Sequence, residues 1–325
     1  MKKEVLKAGL IGCGDYLRRE IDSIYNSKYF EVKYTYDVDQ EKRRKMADRL
    51  VAASVDSTEV IFGDEEISIV MIYTPPSSRR ELFTMAVDRG KHIITSAPFG
   101  TSLDEGRELK QIINDSVNCA VFYDRTGDAS AEKIREILKS GEIGKLALYK
   151  EDLLCHYPTW NDWAKDSEKG GGPFMDTMIH NLNKSRYLMD SPVRNVQFIS
   201  QNYVQELNCN DTEFMKIDFE NGASSWLFIT WAADLEVFDI SANNRVHHGI
   251  LHMITDQGWY ITEKEIEKRR YIQAEKGAAT KIWEVHPLEF TPYDSFSLNL
   301  QHGRAQEADY RDAVRDMEIW GGRWQ

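Results

Sequence analysis

Along the first 120 or so residues, short apolar runs alternate with segments in which apolar positions recur every three or four residues. The runs are "VLKAGLIG" (5–12), "FEVKYTYDVD" (30–39), "SIVMIYTPP" (68–76), "KHIITSAP" (91–98) and "CAVFYD" (119–124). The third is almost continuously apolar, as a strand buried on both faces must be. Between them, "DYLRREIDSIYNS", "QEKRRKMADRL", "SRRELFTMAVDRG" and "SLDEGRELKQIIND" carry the helical period, and Gly90 closes the third of these as a C-terminal cap. Strand and helix patterns in strict alternation predict a parallel, doubly wound sheet.

The rhythm changes after about residue 124. One helix, "SAEKIREILKSGEIGK", leads into the strand-like "LALYKEDLLCHY", and another helix follows "GGGPF". Long β-rich stretches come next: "VRNVQFISQNYV", "EFMKIDFENGASSWLFITWA" and "GILHMITDQGWYITEK", with "ENGA" and "DQGW" as hairpin turns. The tail "YRDAVRDMEIW" reads as a closing helix. The expected class is therefore α/β: a Rossmann-type parallel domain over residues 1–123, then an α+β domain over 124–325 on a mostly antiparallel sheet.

At 325 residues the chain is long enough for two cores, and 42% apolar with 29% charged residues is ordinary for a globular protein. A formal charge of −12 argues against nucleic acid, whose phosphates demand an excess of Lys and Arg. No apolar run approaches the ~20 residues that span a bilayer, so no membrane partner is expected. The opening "MKKEVLKAGLIG" has no secretory apolar region, and Cys13, Cys119, Cys155 and Cys209 form no CxxC pair. Free thiols in a cytoplasmic protein are expected.

Candidate chemistry begins at "GLIGCGDYL". Gly12 permits a tight turn from the first strand into the first helix, and Gly14 lets backbone approach a pyrophosphate at the helix N-terminus. Gly9 opens the pattern, but Leu17 stands where a third small residue is usual. Asp37 ends the second strand, 23 positions after Gly14. A carboxylate there accepts both hydroxyls of an adenosine ribose and repels a 2′-phosphate, which favours NAD over NADP. The plain alternative is that Asp37 only starts a turn.

Several segments together, "GLIGCGDY", "EEISIVMIYTPPSSRRELFTMAVDRGKHIITSAPFG", "ILKSGEIGK" and "GGGPFMDTMIHNLNKSRYLMD", resemble the glucose–fructose oxidoreductase/inositol dehydrogenase/MocA family. The resemblance runs through most of the chain and is weakest in the C-terminal sheet. It implies a Rossmann domain, a second domain with an open antiparallel sheet, a nicotinamide cofactor, and a sugar or polyol substrate. It also adds Asp15, Tyr16, Thr74, Pro75, Pro76 and Ser96 to the cofactor set. Where the family commonly carries Glu-Lys-Pro, this chain has Ser96-Ala97-Pro98. The lysine that normally contacts substrate and moves a proton is Ala97, which can do neither.

The second catalytic block is present. Asp176 and His180 lie four apart on the helix after "GGGPF", with Asn183 and Tyr187 on the same face and Met175, Met178, Ile179 and Leu182 opposite. By resemblance, Asp176 hydrogen-bonds substrate and His180 is the general base, a task suited to imidazole, and Asn183 is expected on the substrate side with them. The alternative is an ordinary Asp–His pair on a solvated helix face. Tyr123 and Arg125, after the fifth strand, are pocket or packing residues. "HYPTWNDWAKDSEKGGG" adds His156, Trp160, Trp163 and Lys165; aromatic faces suit a sugar, and Lys165 is a candidate to restore the missing charge. In "RVHHGILHM", His248 and His252 would share a strand face ~13 Å apart, too far for one metal, and His247 belongs with them as a surface or sheet-packing residue. No metal is expected.

An NAD-dependent oxidoreductase of a sugar or polyol is thus the leading expectation, with transient oxidation for elimination or epimerisation as a variant. The rival is a sensor that binds NAD or sugar without turnover. An open sheet needs its exposed face covered, so a homo-oligomer is expected.

Overall fold

The computed structural model describes residues 5–14, 16–159, 161–233, 248–306 and 308–321. His247 and Trp160 lie outside them. The chain divides into two compact units, residues 1–127 with 289–315, and residues 128–288 with 316–325.

In the first unit, strands β1 (Leu6–Ile11), β2 (Phe30–Tyr36), β3 (Ala53–Ser54), β4 (Ile67–Ile72), β5 (His92–Ser96) and β6 (Cys119–Phe122) form one parallel sheet in the order β3-β2-β1-β4-β5-β6. That order reverses between β1 and β4, the switch point outside which an open α/β sheet binds ligand. The crossovers are α1 (Leu17–Tyr25), α2 (Gln40–Leu50), α3 (Thr58–Gly63), α4 (Arg79–Asp88) and α5 (Leu103–Ile113). Three of these helices, α2, α3 and α5, start on a side-chain cap. Asp39 accepts the Glu41 and Lys42 amides ahead of α2, and Ser102 caps α5 through Glu105 N. Leu17, Ile21 and Ile24 bury one stripe of α1.

The second unit begins with α6 (Ala129–Ser140) and carries a π-helical turn over Phe174–Met178 that runs into α7 (Ile179–Met189). Its sheet holds β7 (Leu146–Leu154), β8 (Val193–Gln201), β9 (Thr212–Phe219), β10 (Ser224–Thr230), β11 (His248–Thr255), β12 (Tyr260–Ile266), β13 (Arg269–Lys276) and β14 (Ala279–Glu284). The order is β14-β13-β12-β11-β7-β10-β9-β8, antiparallel except for the pair β7–β10. Both expected hairpins form, at Asn221-Gly222 and at Gln257-Gly258. Sequence reasoning did not describe β13 and β14. The β12–β13 turn is Glu267-Lys268, with φ of +51° and +65°, so neither residue is the Gly or Asn that would have marked it.

The units do not follow a single cut after residue 123. Helix α8 (Pro292–Gln301) and the start of α9 (Tyr310–Trp320) return to the first unit. The reason is burial: Tyr293 and Phe296 are almost fully enclosed, and Phe30 and Phe122 pack on the Tyr293 ring. Asp294 accepts from Ser27 Oγ (2.5 Å), Lys28 N (2.9 Å) and Tyr29 N (3.2 Å), while Val121 N donates to Ala308 O.

Candidate cofactor cradle and catalytic helix

At the end of β1 the chain turns through Gly12 with φ +93°. A Cβ there would lie 2.7 Å from both the carbonyl carbon and oxygen of Tyr73, so only glycine lets the turn close on the end of β4. Gly12 N donates to Tyr36 O, which ties the turn to β2. The Asp37 carboxylate then faces this turn: Cys13 N donates to its Oδ2 at 2.7 Å, and Asp39 N to its Oδ1 at 2.8 Å. These two bonds fix the carboxylate in direction.

Three further features fit a dinucleotide. Nothing lies within 4 Å of where a Cβ on Gly14 would sit, so backbone is open to an approaching phosphate. Helix α1 has no side-chain cap at its N-terminus, where anions are favoured. Thr74 Oγ1 is buried without a hydrogen-bond partner, beside the Pro75-Pro76 turn. Tyr16 packs its ring 5.1 Å from that of Tyr73, and burial pushes its hydroxyl pKa well up. Leu17, in place of a small residue, is fully buried in the core. Burial also pushes the Cys13 thiol up to about 12, so it stays protonated at neutral pH. Asp15 lies outside the described residues.

At the end of β5, Ser96 and Ala97 are buried, and the Ala97–Pro98 peptide is cis. The side chain that organises this stretch is one sequence reasoning missed, Arg79. It is 3% exposed, and its guanidinium donates to Thr74 O (2.9 Å), Ser96 O (2.6 Å), Pro98 O and Ser96 Oγ (3.4 Å). It falls on the buried stripe of α4 with Phe83 and Ala86, a spacing that could have flagged it. Tyr123 is buried, with Thr126 Oγ1 accepting from its backbone N–H, and Arg125 is half-buried.

In the second unit, Gly171 is required because a Cβ would run into the carbonyls of Trp163 and Ala164. Gly172 takes φ +113°, and its carbonyl accepts Asp176 N at 2.9 Å. The helix that follows is not the regular α-helix expected. Ile179 N bonds Phe174 O, the i→i+5 closure of a π turn, so Asp176 sits on a wider turn than His180. Both side chains are half-buried, and Met175, Met178, Ile179 and Leu182 form the buried stripe.

The same helix departs from expectation further along. Asn183 is 2% exposed and donates to Asp316 Oδ2 at 2.6 Å, and Asp316 also takes Arg186. Tyr187 donates to Glu132 at 2.6 Å and lies under Arg135. Both are engaged in packing, because α7 lies against α6 and α9 along that side. Glu213, also missed, is 6% exposed and holds the start of the π turn: Phe174 N donates to its Oε2 at 2.6 Å and Ser200 Oγ to its Oε1 at 3.0 Å. Burial pushes its pKa up to about 7.

Trp163 is half-buried, and Lys165 pairs with Asp162 at 2.8 Å. His156 stacks on Tyr157 with ring centroids 4.0 Å apart, and His252 Nδ1 lies 3.3 Å from the Tyr260 hydroxyl. Among the described residues no cluster of three His, Cys, Asp or Glu side chains could hold a metal, and no helix is long and apolar enough to cross a membrane.

A 3-2-1-4-5-6 parallel sheet with a glycine turn facing an aspartate defines a dinucleotide-binding protein of the Rossmann class. Residues 6–123 match the profile described as "Oxidoreductase family, NAD-binding Rossmann fold", and residues 131–246 match the GFO/IDH/MocA C-terminal domain. The chain belongs to the Gfo/Idh/MocA oxidoreductase family, and the cofactor that goes with its Rossmann domain is NAD. It is 29% identical to the uncharacterized oxidoreductase YrbE of Bacillus subtilis (strain 168) over 229 residues, 69% of this chain and 66% of that one. Against scyllo-inositol 2-dehydrogenase (NAD(+)) of the same organism it is 27% identical over 255 residues, 77% of this chain and 70% of that one. An oxidoreductase from Agrobacterium radiobacter, solved in complex with NAD+, L-tartaric acid and magnesium, has the same fold: TM-score 0.78 at 16% identity, covering 97% of this chain and 94% of that one.

Proposed function

We propose that this protein is an NAD-dependent oxidoreductase acting on a CH–OH group of a sugar, sugar derivative or polyol. The observation that carries the reading is the Asp37 carboxylate, held by Cys13 N–H at the glycine turn where a dinucleotide's ribose is recognised. Gly12, Gly14, Tyr16, Thr74, Pro75, Pro76 and Ser96, with Asp15, complete the cofactor residues. NAD, when bound, supplies the acceptor for the hydride of the substrate carbon. Asp176 binds the substrate hydroxyls, and His180 takes the proton from the hydroxyl that becomes a carbonyl, for which a neutral imidazole has the right basicity. Trp163 and Lys165 are substrate-side residues, with Tyr123 and Arg125 as further candidates. Asn183 is left out because its amide is bound to Asp316.

The likeness to an inositol dehydrogenase favours a polyol or sugar. Ala97 favours a second reading: with no lysine to move a proton there, the chain binds NAD and sugar as a sensor, or oxidises transiently and re-reduces. Denaturing the purified protein and assaying released nucleotide, then adding a panel of sugars and polyols while following NADH absorbance, separates these. Substrate-dependent NADH formation that His180→Ala abolishes, with NAD still bound, is the expected result. Bound NAD that no sugar reduces points to the sensor. Turnover without net NADH points to transient oxidation.

The exposed outer face of the second unit's sheet is proposed to pair with a second copy of the chain.

A further inference from the structure

The side chains of Ser96, Ala97 and Pro98 bring no charge to the end of β5, yet a charge lies directly beneath them. Arg79 is 3% exposed, and all four of its partners are uncharged: three backbone carbonyls and one hydroxyl. Among the described residues it forms no ion pair. Burial lowers its pKa to about 10, which leaves it protonated at neutral pH. The first unit therefore holds a buried cation with no ion-pair partner among the described residues, acted on at longer range by the Glu105 carboxylate and bonded to the carboxyl ends of both β4 and β5.

Those ends are where an open α/β sheet binds its ligand. The Asp37 carboxylate at the end of β2 and the glycine turn at the end of β1 fix the direction in which a dinucleotide lies. Its adenosine half belongs to the β1–β2 side of the switch point, and its nicotinamide half to the β4–β5 side. The nicotinamide ring is cationic when oxidised and neutral when reduced, so a fixed positive charge on that side acts on the two forms differently. A buried charge is also poorly screened by salt.

We propose that Arg79 is a positioning residue of the cofactor site with a second role in setting its redox preference. Its guanidinium holds Thr74 and Ser96–Pro98 in place, and its charge makes the site favour reduced over oxidised nicotinamide. This rests on the proposed use of NAD and deepens it, since a site that favours NADH over NAD+ shifts hydride transfer between bound cofactor and substrate toward formation of the carbonyl. A unit charge acting over ~10 Å through an effective dielectric of ~20 changes an equilibrium by about tenfold.

The test is the dissociation constant of NAD+ and of NADH, measured by calorimetry on the full-length protein and on Arg79→Lys and Arg79→Gln. Wild type is expected to bind NADH about tenfold more tightly than NAD+. Arg79→Gln should lower that preference at least about fivefold, whereas Arg79→Lys should weaken both forms and keep the ratio within about twofold. A clamp with only a structural role would weaken both nucleotides equally in both variants, and that result overturns the proposal. So does a wild type that binds the two forms equally, a measurement that stands even where Arg79→Gln does not fold. Wild-type protein that binds neither nucleotide would instead overturn the cofactor reading itself.

Discussion

Gly12 and Asp37 are the residues on which the proposed dinucleotide site turns. Gly12→Ala places a methyl group 2.7 Å from the Tyr73 carbonyl in a backbone region that costs non-glycine residues ~1–3 kcal/mol before any clash is counted. Chemical denaturation should register a loss of at least about 3 kcal/mol; a variant within about 1 kcal/mol of wild type would contradict the close approach. Asp37→Asn removes the charge and turns an N–H donor toward one of the two amides the carboxylate now accepts. NAD should bind about tenfold to a hundredfold more weakly, the range for a hydrogen bond to a charged group, and calorimetry would show it. Unchanged affinity would reduce Asp37 to a turn residue. Both positions were legible in the sequence because glycine geometry and strand-end carboxylates are local requirements. The bond that joins them, Cys13 N to Asp37, joins residues 24 apart and needed the fold.

At the scale of the element, the helix that carries Asp176 and His180 shows what periodicity can and cannot carry. The buried stripe of Met175, Met178, Ile179 and Leu182 follows from an apolar pattern, but the π turn beneath Asp176 does not, since a single i→i+5 turn leaves no mark in the spacing of apolar residues. Glu213 is the other half of the lesson. Along β9 the inward positions are Glu213, Met215, Ile217 and Phe219, so strict alternation already set a carboxyl among core residues. Its pKa, raised from 4.5 to about 7, means folding favours the neutral acid by on the order of 3 kcal/mol. That contribution is complete below pH ~4.5 and is lost as pH rises through ~7. Glu213→Gln keeps an oxygen for Phe174 N–H and offers an N–H to Ser200. The variant should therefore match wild type near pH ~4.5 and exceed its stability above pH ~7.5. Denaturation midpoints that run parallel across that range would show that Glu213 does not titrate there.

For the whole molecule, the outer face of the second sheet poses the question of what covers it. The strand register lines up Ile199, Phe214 and Phe228 across β8, β9 and β10, and beyond Asp152 of β7 comes Ile250 of β11. The neighbouring row holds Gln197, Lys216, Trp226, Lys150 and His252. Ile199 and Ile250 are each 56% exposed and Trp226 39%, a large apolar share for a surface left in water. The lysines among them are matched within their own strands, Lys150 with Asp152 and Lys216 with Asp218, so neither is left as an unpaired charge facing a like surface. A second copy related by a two-fold axis meets these requirements, because an isologous contact needs only a self-complementary patch. Light scattering on wild type should give a dimer or a multiple of it, and Trp226→Asp with Ile250→Asp should give monomer. NAD affinity should survive in that variant, since every residue of the cofactor cradle lies in the other unit. Wild type that stays monomeric at high concentration would leave the open sheet without this explanation. A variant that loses NAD along with its partner would mean that association builds the cofactor site as well as covering the sheet.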